Sequence, residues 1–338
     1  MATWSERIAE GEEAELEALG RRLRALQEAA ARDGRPGRAL HLKGITIAEG
    51  RLEVGDVPGG LRVGCFARPG TWRCWLRTSN GSGGRKGDGV PDVRGLAVKL
   101  LGVPGAKLIP ALVDAKTQDF LAIQNETSSF RSPEEFVTVV EAGAGGPLGL
   151  VFGLSWKLGP IRAFQLLGDL QRGLSPQLAH YLDRPFYSAL PIRWGDEAVK
   201  YAFFPVSVPE APQPLDRARH DHYGPDLAAR LRAGEVVMDL KVQRFVDEAT
   251  TPIEDSTVAW TSPWEKVATL RIPRQDVDDE RGRRLAALAE EISFDPWHAP
   301  SEFRPLGKMM RARNVAYRES VIGRKARTEP DGSEVEPL

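Results

Sequence analysis

RARNVAYRESVIGR occupies residues 311–324 of this 338-residue chain. It follows Pro305, which breaks helices, so the spacing predicts a helix that begins just after it. On that helix Arg313 and Tyr317 are four residues apart and share a face. Arg324, seven beyond Tyr317, returns to the same face near the helix end, beside Gly323. A guanidinium one turn from a tyrosine favours the phenolate, a hard anionic ligand suited to ferric iron. Arg324 is placed to meet a carboxylate by a bidentate contact. The competing reading of the same pattern is an ordinary, partly solvated helix face.

Composition narrows the field. Forty-one per cent hydrophobic residues can fill a real core, and the formal charge is −1 with acids and bases interspersed. That balance argues against a general nucleic-acid binder. No run of about 18 apolar residues is present, and the N-terminus is polar. The expectation is a cytoplasmic protein with no membrane span. Cys65 and Cys74 offer neither a disulfide framework nor a zinc pattern and read as buried thiols.

Residues 5–31 carry Ile8, Leu16, Leu19, Leu23 and Leu26 at helical spacing, ended by Asp33-Gly34. They predict an amphipathic arm packed on the body or on a second copy of the chain, which leaves a homodimer open. RALHLKGITIAEGRLEV (38–54) reads as a strand with His41, Lys43 and Ile45 on one face. On an ideal strand Arg38 and His41 face opposite sides, so any joint role needs a bulge. In the strand around residues 72–79, Arg77 and Ser79 share a face and can look into one pocket. The glycine-rich run 81–89 lacks the Gly-Lys-Ser/Thr ending of a phosphate loop and leads into a strand (96–101), so it reads as a flexible hairpin loop.

A further strand (120–124) precedes Asn125, and Ser132-Pro133-Glu134-Glu135 marks a capped helix start. Residues 143–185 read as helical, with breaks at Gly146-Pro147 and Gly159-Pro160. A hairpin turns at Gly195-Asp196, and the loop holding His220 and His222 reads as solvated. Strands at 234–246 and 266–272 and a helix at 276–292 follow.

Four of these segments resemble catalase motifs in the family's order. They are Arg38-x-x-His41, Arg77-x-Ser79-Asn-Gly-Ser with Pro91-Asp-x-Arg-Gly-x-Ala-x-Lys-Leu, Asn125 after its strand, and Arg313-x-x-x-Tyr317 followed by Arg324. The chain is similar to the small catalase-related haem proteins over about residues 38–325. Tyrosine is the known catalase haem ligand. The resemblance implies an α+β fold, a catalase-like antiparallel β-barrel with appended α-helices, and haem b between the barrel and a C-terminal helix.

The resemblance also implies residue roles. Tyr317 is the axial ligand to the haem iron, and Arg313 restrains its charge. Arg38, Arg77 and Arg324 hold the cofactor. His41, supported by Ser79, handles the peroxide protons, and Asn125 orients the peroxide. Three departures from the family pattern stand out: Leu42 in place of Ala, Thr78 in place of Phe, and the altered neighbours Thr127, Ser129 and Phe130. The chain stops soon after Tyr317, without the wrapping segment and helical domain of full-length catalases. Together these features point to a wider access route and to organic hydroperoxides with a reducing co-substrate. The alternatives are dismutation of hydrogen peroxide and haem binding without turnover. The expected organisation is a helical arm (1–33), a haem-binding domain (34–325) and a polar tail (326–338).

Overall fold

In the computed structural model, which describes residues 3–31, 37–174, 178–327 and 329–338, eight antiparallel strands close on themselves. The strands are β1 (Gly44–Val54), β2 (Gly70–Asn80), β3 (Arg94–Leu101), β4 (Thr117–Ile123), β5 (Phe186–Tyr187), β7 (Glu197–Ser207), β8 (Val236–Arg244) and β9 (Glu265–Ile272). They run in the order β5-β4-β3-β2-β1-β9-β8-β7, and pairing of β5 with β7 closes the barrel. A short β6 (Ile192–Trp194) makes the expected hairpin with β7 at Gly195-Asp196. Closure leaves the barrel without an exposed edge.

Alternation along each strand separates two layers. Leu52, Cys74, Leu76, Val98, Leu100, Phe120, Phe203, Leu240 and Leu270 point into the barrel core. Ile47, Trp75 and Leu101 face outward and pack under α6 (Glu280–Glu291) through Leu285, Leu288 and Ala289. Gly50 lets the neighbouring strands approach β1 closely, because a Cβ there would stand 2.6 Å from Leu76 Cδ1 and 3.0 Å from the Arg271 carbonyl oxygen. Both cysteines are buried and free, and burial pushes their thiols well up.

Helix α7 (Lys308–Arg324) forms as the sequence predicts. The arm forms α1 (Glu12–Ala29), shorter than expected, and Asp33-Gly34 lie outside the described residues. Leu16, Leu19 and Leu23 pack with Val315 of α7, and Gly20 allows the close crossing. The arm is thus seated on the body. Helices α2 (Pro133–Ala144), α3 (Gly146–Leu158) and α4 (Pro160–Gly173) follow β4, and α5 (Tyr223–Ala233) precedes β8. Ser132 caps α2 by accepting from the Glu135 amide at 3.3 Å.

Three local expectations are corrected. Residues 38–43 are not strand: β1 starts at Gly44, and His41 adopts φ 51°. The 81–89 loop is clamped, since buried Asp88 accepts from Lys43 Nζ at 2.6 Å and from the Tyr223 amide at 2.9 Å. His222 is buried against the Tyr223 ring, whereas His220 is exposed. The tail also lies along the barrel wall: Arg73 donates to the carbonyls of Gly332 and Val335, each at 2.6 Å.

Candidate functional site

The site begins at a break in the β1–β2 ladder. Register shifts between Gly44 and Thr46, and the Thr78 hydroxyl fills the gap by bonding the Thr46 amide and carbonyl at 3.0 and 3.1 Å. The Thr78 hydroxyl is thereby committed to the β1 backbone. Just before the break the chain turns through His41, whose amide bonds the Gly81 carbonyl at 3.0 Å. The left-handed backbone at His41 does what an ideal strand cannot. It swings the imidazole onto β2, where Nδ1 lies 3.0 Å from Ser79 Oγ. Arg77, two residues earlier on the same face, donates to the His41 carbonyl at 3.0 Å.

Gly95 opposite Ser79 leaves room for the ring, since a Cβ there would stand 2.7 Å from His41 Cε1. The row Ser79–Gly95–Ile123 across β2, β3 and β4 brings Asn125 to the same end of the barrel. Its Nδ2 donates to the Gly173 carbonyl, the last residue of α4, at 2.7 Å. Among the described residues no hydrogen bond joins Asn125 to His41 or Ser79.

Three arginines far apart in sequence meet at the C-terminal end of α6. Arg324 donates to the Glu290 and Ile292 carbonyls at 2.9 and 2.8 Å. Arg38 donates to the Ile292 carbonyl at 3.0 Å and to the Ala289 carbonyl, and lies 3.2 Å from the Glu290 carboxylate. Arg77 is 3.6 Å from that same carboxylate. Burial first, then mutual repulsion partly offset by Glu290, pushes all three guanidiniums down to about 10. They remain charged at neutral pH, so three cations share one carboxylate. That excess positive charge suits a ligand bearing carboxylates.

On α7, Arg313 Nη2 donates to Tyr317 Oη at 3.1 Å, with its guanidinium carbon 5.4 Å from the ring centre. Burial opposes the charge on Arg313, but Tyr317, together with Tyr201 and Asp295, more than offsets it and the guanidinium sits above its ordinary value. The two halves of the site share one field. Burial, then Arg77, Arg313 and Arg38, drive the His41 imidazole down to about 3. His41 is therefore neutral through the physiological range, as a proton acceptor must be.

This sets a pH dependence. The unfolded chain takes up the His41 proton near pH 6.5, whereas the native state resists until about 3. Stability is fully present above about 6.5 and falls with decreasing pH, by about 1.4 kcal/mol per unit from this residue. His41→Asn should flatten that part of the acid limb in thermal unfolding followed by circular dichroism.

The sequence reading missed a second polar cluster on the outer wall. Lys99 and Asp119 are register partners on β3 and β4, 2.8 Å apart. His298 Nδ1 lies 3.0 Å from Asp119 Oδ2, and Glu329 from the tail reaches Lys99 Nζ at 2.5 Å. All four side chains are buried. Asp119, His298 and Glu329 are close enough to hold a metal ion, but the Lys99 ammonium already fills the role of the central cation. The i,i+2 alternation of β3, which sets Lys99 among outward-facing positions, was the available signal. Its partner Glu329 lay in a stretch read as a polar tail.

Neither a protein-family model nor a curated protein matches the chain by sequence. Solved structures do match by shape. A fungal catalase aligns with a TM-score of 0.66 at 18% identity over 89% of this chain and 61% of its own. A bacterial catalase gives 0.64 at 18% identity over 90% and 61%. Catalase A from Saccharomyces cerevisiae gives 0.65 at 16% identity over 87% and 62%. The chain thus has a catalase-like fold and spans about three-fifths of the length of these catalases.

Proposed function

We propose that the chain binds haem b between the barrel wall and α7 and acts on hydroperoxides, organic ones in preference to hydrogen peroxide. What supports this reading is the convergence of a neutral, buried His41–Ser79 pair, an Arg313–Tyr317 pair and three clustered arginines on one catalase-like frame. The residues fit the cofactor. Tyr317 offers an oxygen ligand, and Arg38, Arg77 and Arg324 form a cationic cradle, neutralised among the described residues by Glu290 alone, that would take the propionates. Bound there, haem would supply redox-active iron and an open coordination position.

The protein's own contribution is proton handling and orientation. With Nδ1 donating to Ser79 Oγ, His41 keeps a lone pair on Nε2. That atom takes the hydroperoxide proton and returns it to the departing oxygen. Arg77, bonded to the His41 carbonyl, fixes the strained turn that aims the ring. The Asn125 amide, which would orient the peroxide, is shared with the Gly173 carbonyl at 2.7 Å. A donor so committed holds a small peroxide less firmly, which supports the organic preference.

The test begins with a Soret band in protein produced with adequate iron and haem. Reduction of an alkyl hydroperoxide with dye oxidation is then compared with oxygen release from hydrogen peroxide. Faster dye oxidation with little oxygen supports the proposal. Vigorous oxygen release without donor oxidation would instead make the protein a catalase in activity. His41→Ala is expected to keep the haem and lose about 10²–10⁴-fold in peroxide turnover, the range for a missing acid–base group. Unchanged turnover would mean haem binding without catalysis by this site.

A further inference from the structure

The α3–α4 hairpin is built the opposite way round from an ordinary surface helix pair. Gly145, Gly149 and Gly153 lie at four-residue spacing. A Cβ at Gly153 would stand 2.9 Å from Ala142 Cβ, and one at Gly149 would stand 3.2 Å from the Ala142 carbonyl oxygen. Glycine therefore faces α2, and helix geometry turns the large residues outward. Leu154, Ala163 and Leu166 already give the hairpin its own buried core. Leu148, Phe152, Trp156, Ile161 and Phe164 are left exposed, Trp156 at 91% and Phe164 at 81%. Single exposed apolar residues are ordinary, but five on adjoining turns around Gly159-Pro160 mark a docking surface.

Charge narrows the partner. Each cation of the hairpin is neutralised by a carboxylate: Lys157 by Glu141 at 2.6 Å, Arg162 by Glu135 at 2.7 Å and Arg172 by Asp169 at 2.5 Å. An acidic protein would find no free positive charge here. The side chains project as a knob, which needs either an apolar socket or a deformable layer. One cavity of about 440 Å³ on this chain sets Lys43, Arg85, Asp88, Asp221 and Arg232 beside Ile45 and Val277, and that mixed lining is a poor socket for an uncharged knob. Helical backbone satisfies its own hydrogen bonds, so the hairpin can enter an apolar layer, and tryptophan favours the membrane interface.

We propose that the tip of α3–α4 docks on a lipid bilayer, seating its apolar side chains in the acyl layer by insertion and without need of anionic lipid. The hairpin is continuous with the candidate site. The 14 residues of α4 run about 20 Å to Gly173, which holds Asn125, and the Asp169 carbonyl accepts from Ser129 at 3.3 Å. Docking therefore brings the Asn125 edge near the layer that holds lipid hydroperoxides. That last clause rests on the hydroperoxide reading, whereas docking itself does not.

Sedimentation of the full chain with phosphatidylcholine vesicles tests the proposal. The parent is expected to bind, with affinity little changed between about 0.05 and 0.5 M salt. The triple variant Phe152→Ser, Trp156→Ser, Phe164→Ser should bind about a hundredfold more weakly. An unchanged circular dichroism spectrum would show that its fold is intact. Three results would overturn the proposal: no binding by the parent, parental binding by the variant, or binding only to phosphatidylserine vesicles at low salt. A parent dimer that the triple variant dissociates, with no vesicle binding, would assign the patch to a second copy instead. A missing Soret band would remove the hydroperoxide reading and leave the vesicle result standing.

Discussion

Tyr317→Phe is expected to strip the protein of stably held haem. The substitution keeps the ring and deletes only the oxygen that Arg313 bonds at 3.1 Å, so the α7 packing through Val315 is preserved. Loss of an axial ligand costs more than loss of a supporting group, which is itself worth about 10–100-fold in metal affinity. Haem transfer to apomyoglobin should therefore be faster by more than about a hundredfold, with the Soret band lost or moved. Arg324→Ala provides the contrast. It removes one of three cations at the α6 end while leaving Tyr317 untouched, so haem should loosen without a change in the band position. A Tyr317→Phe protein with the parental spectrum would refute the assignment of Tyr317 as ligand.

The second large effect is expected at Lys99, away from the site. Burial alone would drive Lys99 toward its neutral form, but Asp119 and Glu329 more than offset it and hold the ammonium above its ordinary value. Lys99→Met keeps the bulk and leaves the buried Asp119 and Glu329 carboxylates without the ammonium that pairs with both. Breaking a buried ion pair from one side costs about 3–5 kcal/mol, because the remaining charge is stranded in a low-dielectric site. Urea unfolding followed by tryptophan fluorescence should show that loss. Adding Asp119→Asn and Glu329→Gln should restore much of it, because the stranded charges are then removed. A Lys99→Met protein as stable as the parent would mean that water or the tail relaxes freely into the cluster.

Much of the frame was legible along the chain. Strand alternation around residues 72–79 put Arg77 and Ser79 on one face, and both side chains meet His41. The spacing of Arg313 and Tyr317 correctly placed them in contact on one helix face. Those inferences succeed because the side-chain periods of strands and helices are local properties of the backbone. The capped start of α2 at Ser132 belongs to the same kind, since one side chain and the next few amides settle it.

Tertiary structure alone decided the rest. His41 meets Ser79 through a left-handed turn just ahead of β1, a conformation that no periodicity announces. Arg38, Arg77 and Arg324 converge only because barrel closure and the seating of α6 bring their three segments to the same carbonyls. Glu329 looked like one more charge in a polar tail until it met Lys99, nearly the whole barrel domain away in sequence. The exposed α3–α4 face went unread for the same reason: glycine spacing shows which side can pack closely, but only a neighbour such as Ala142 determines that it does. Local sequence determines which way each side chain points along its own element, and long-range closure determines what it finds there.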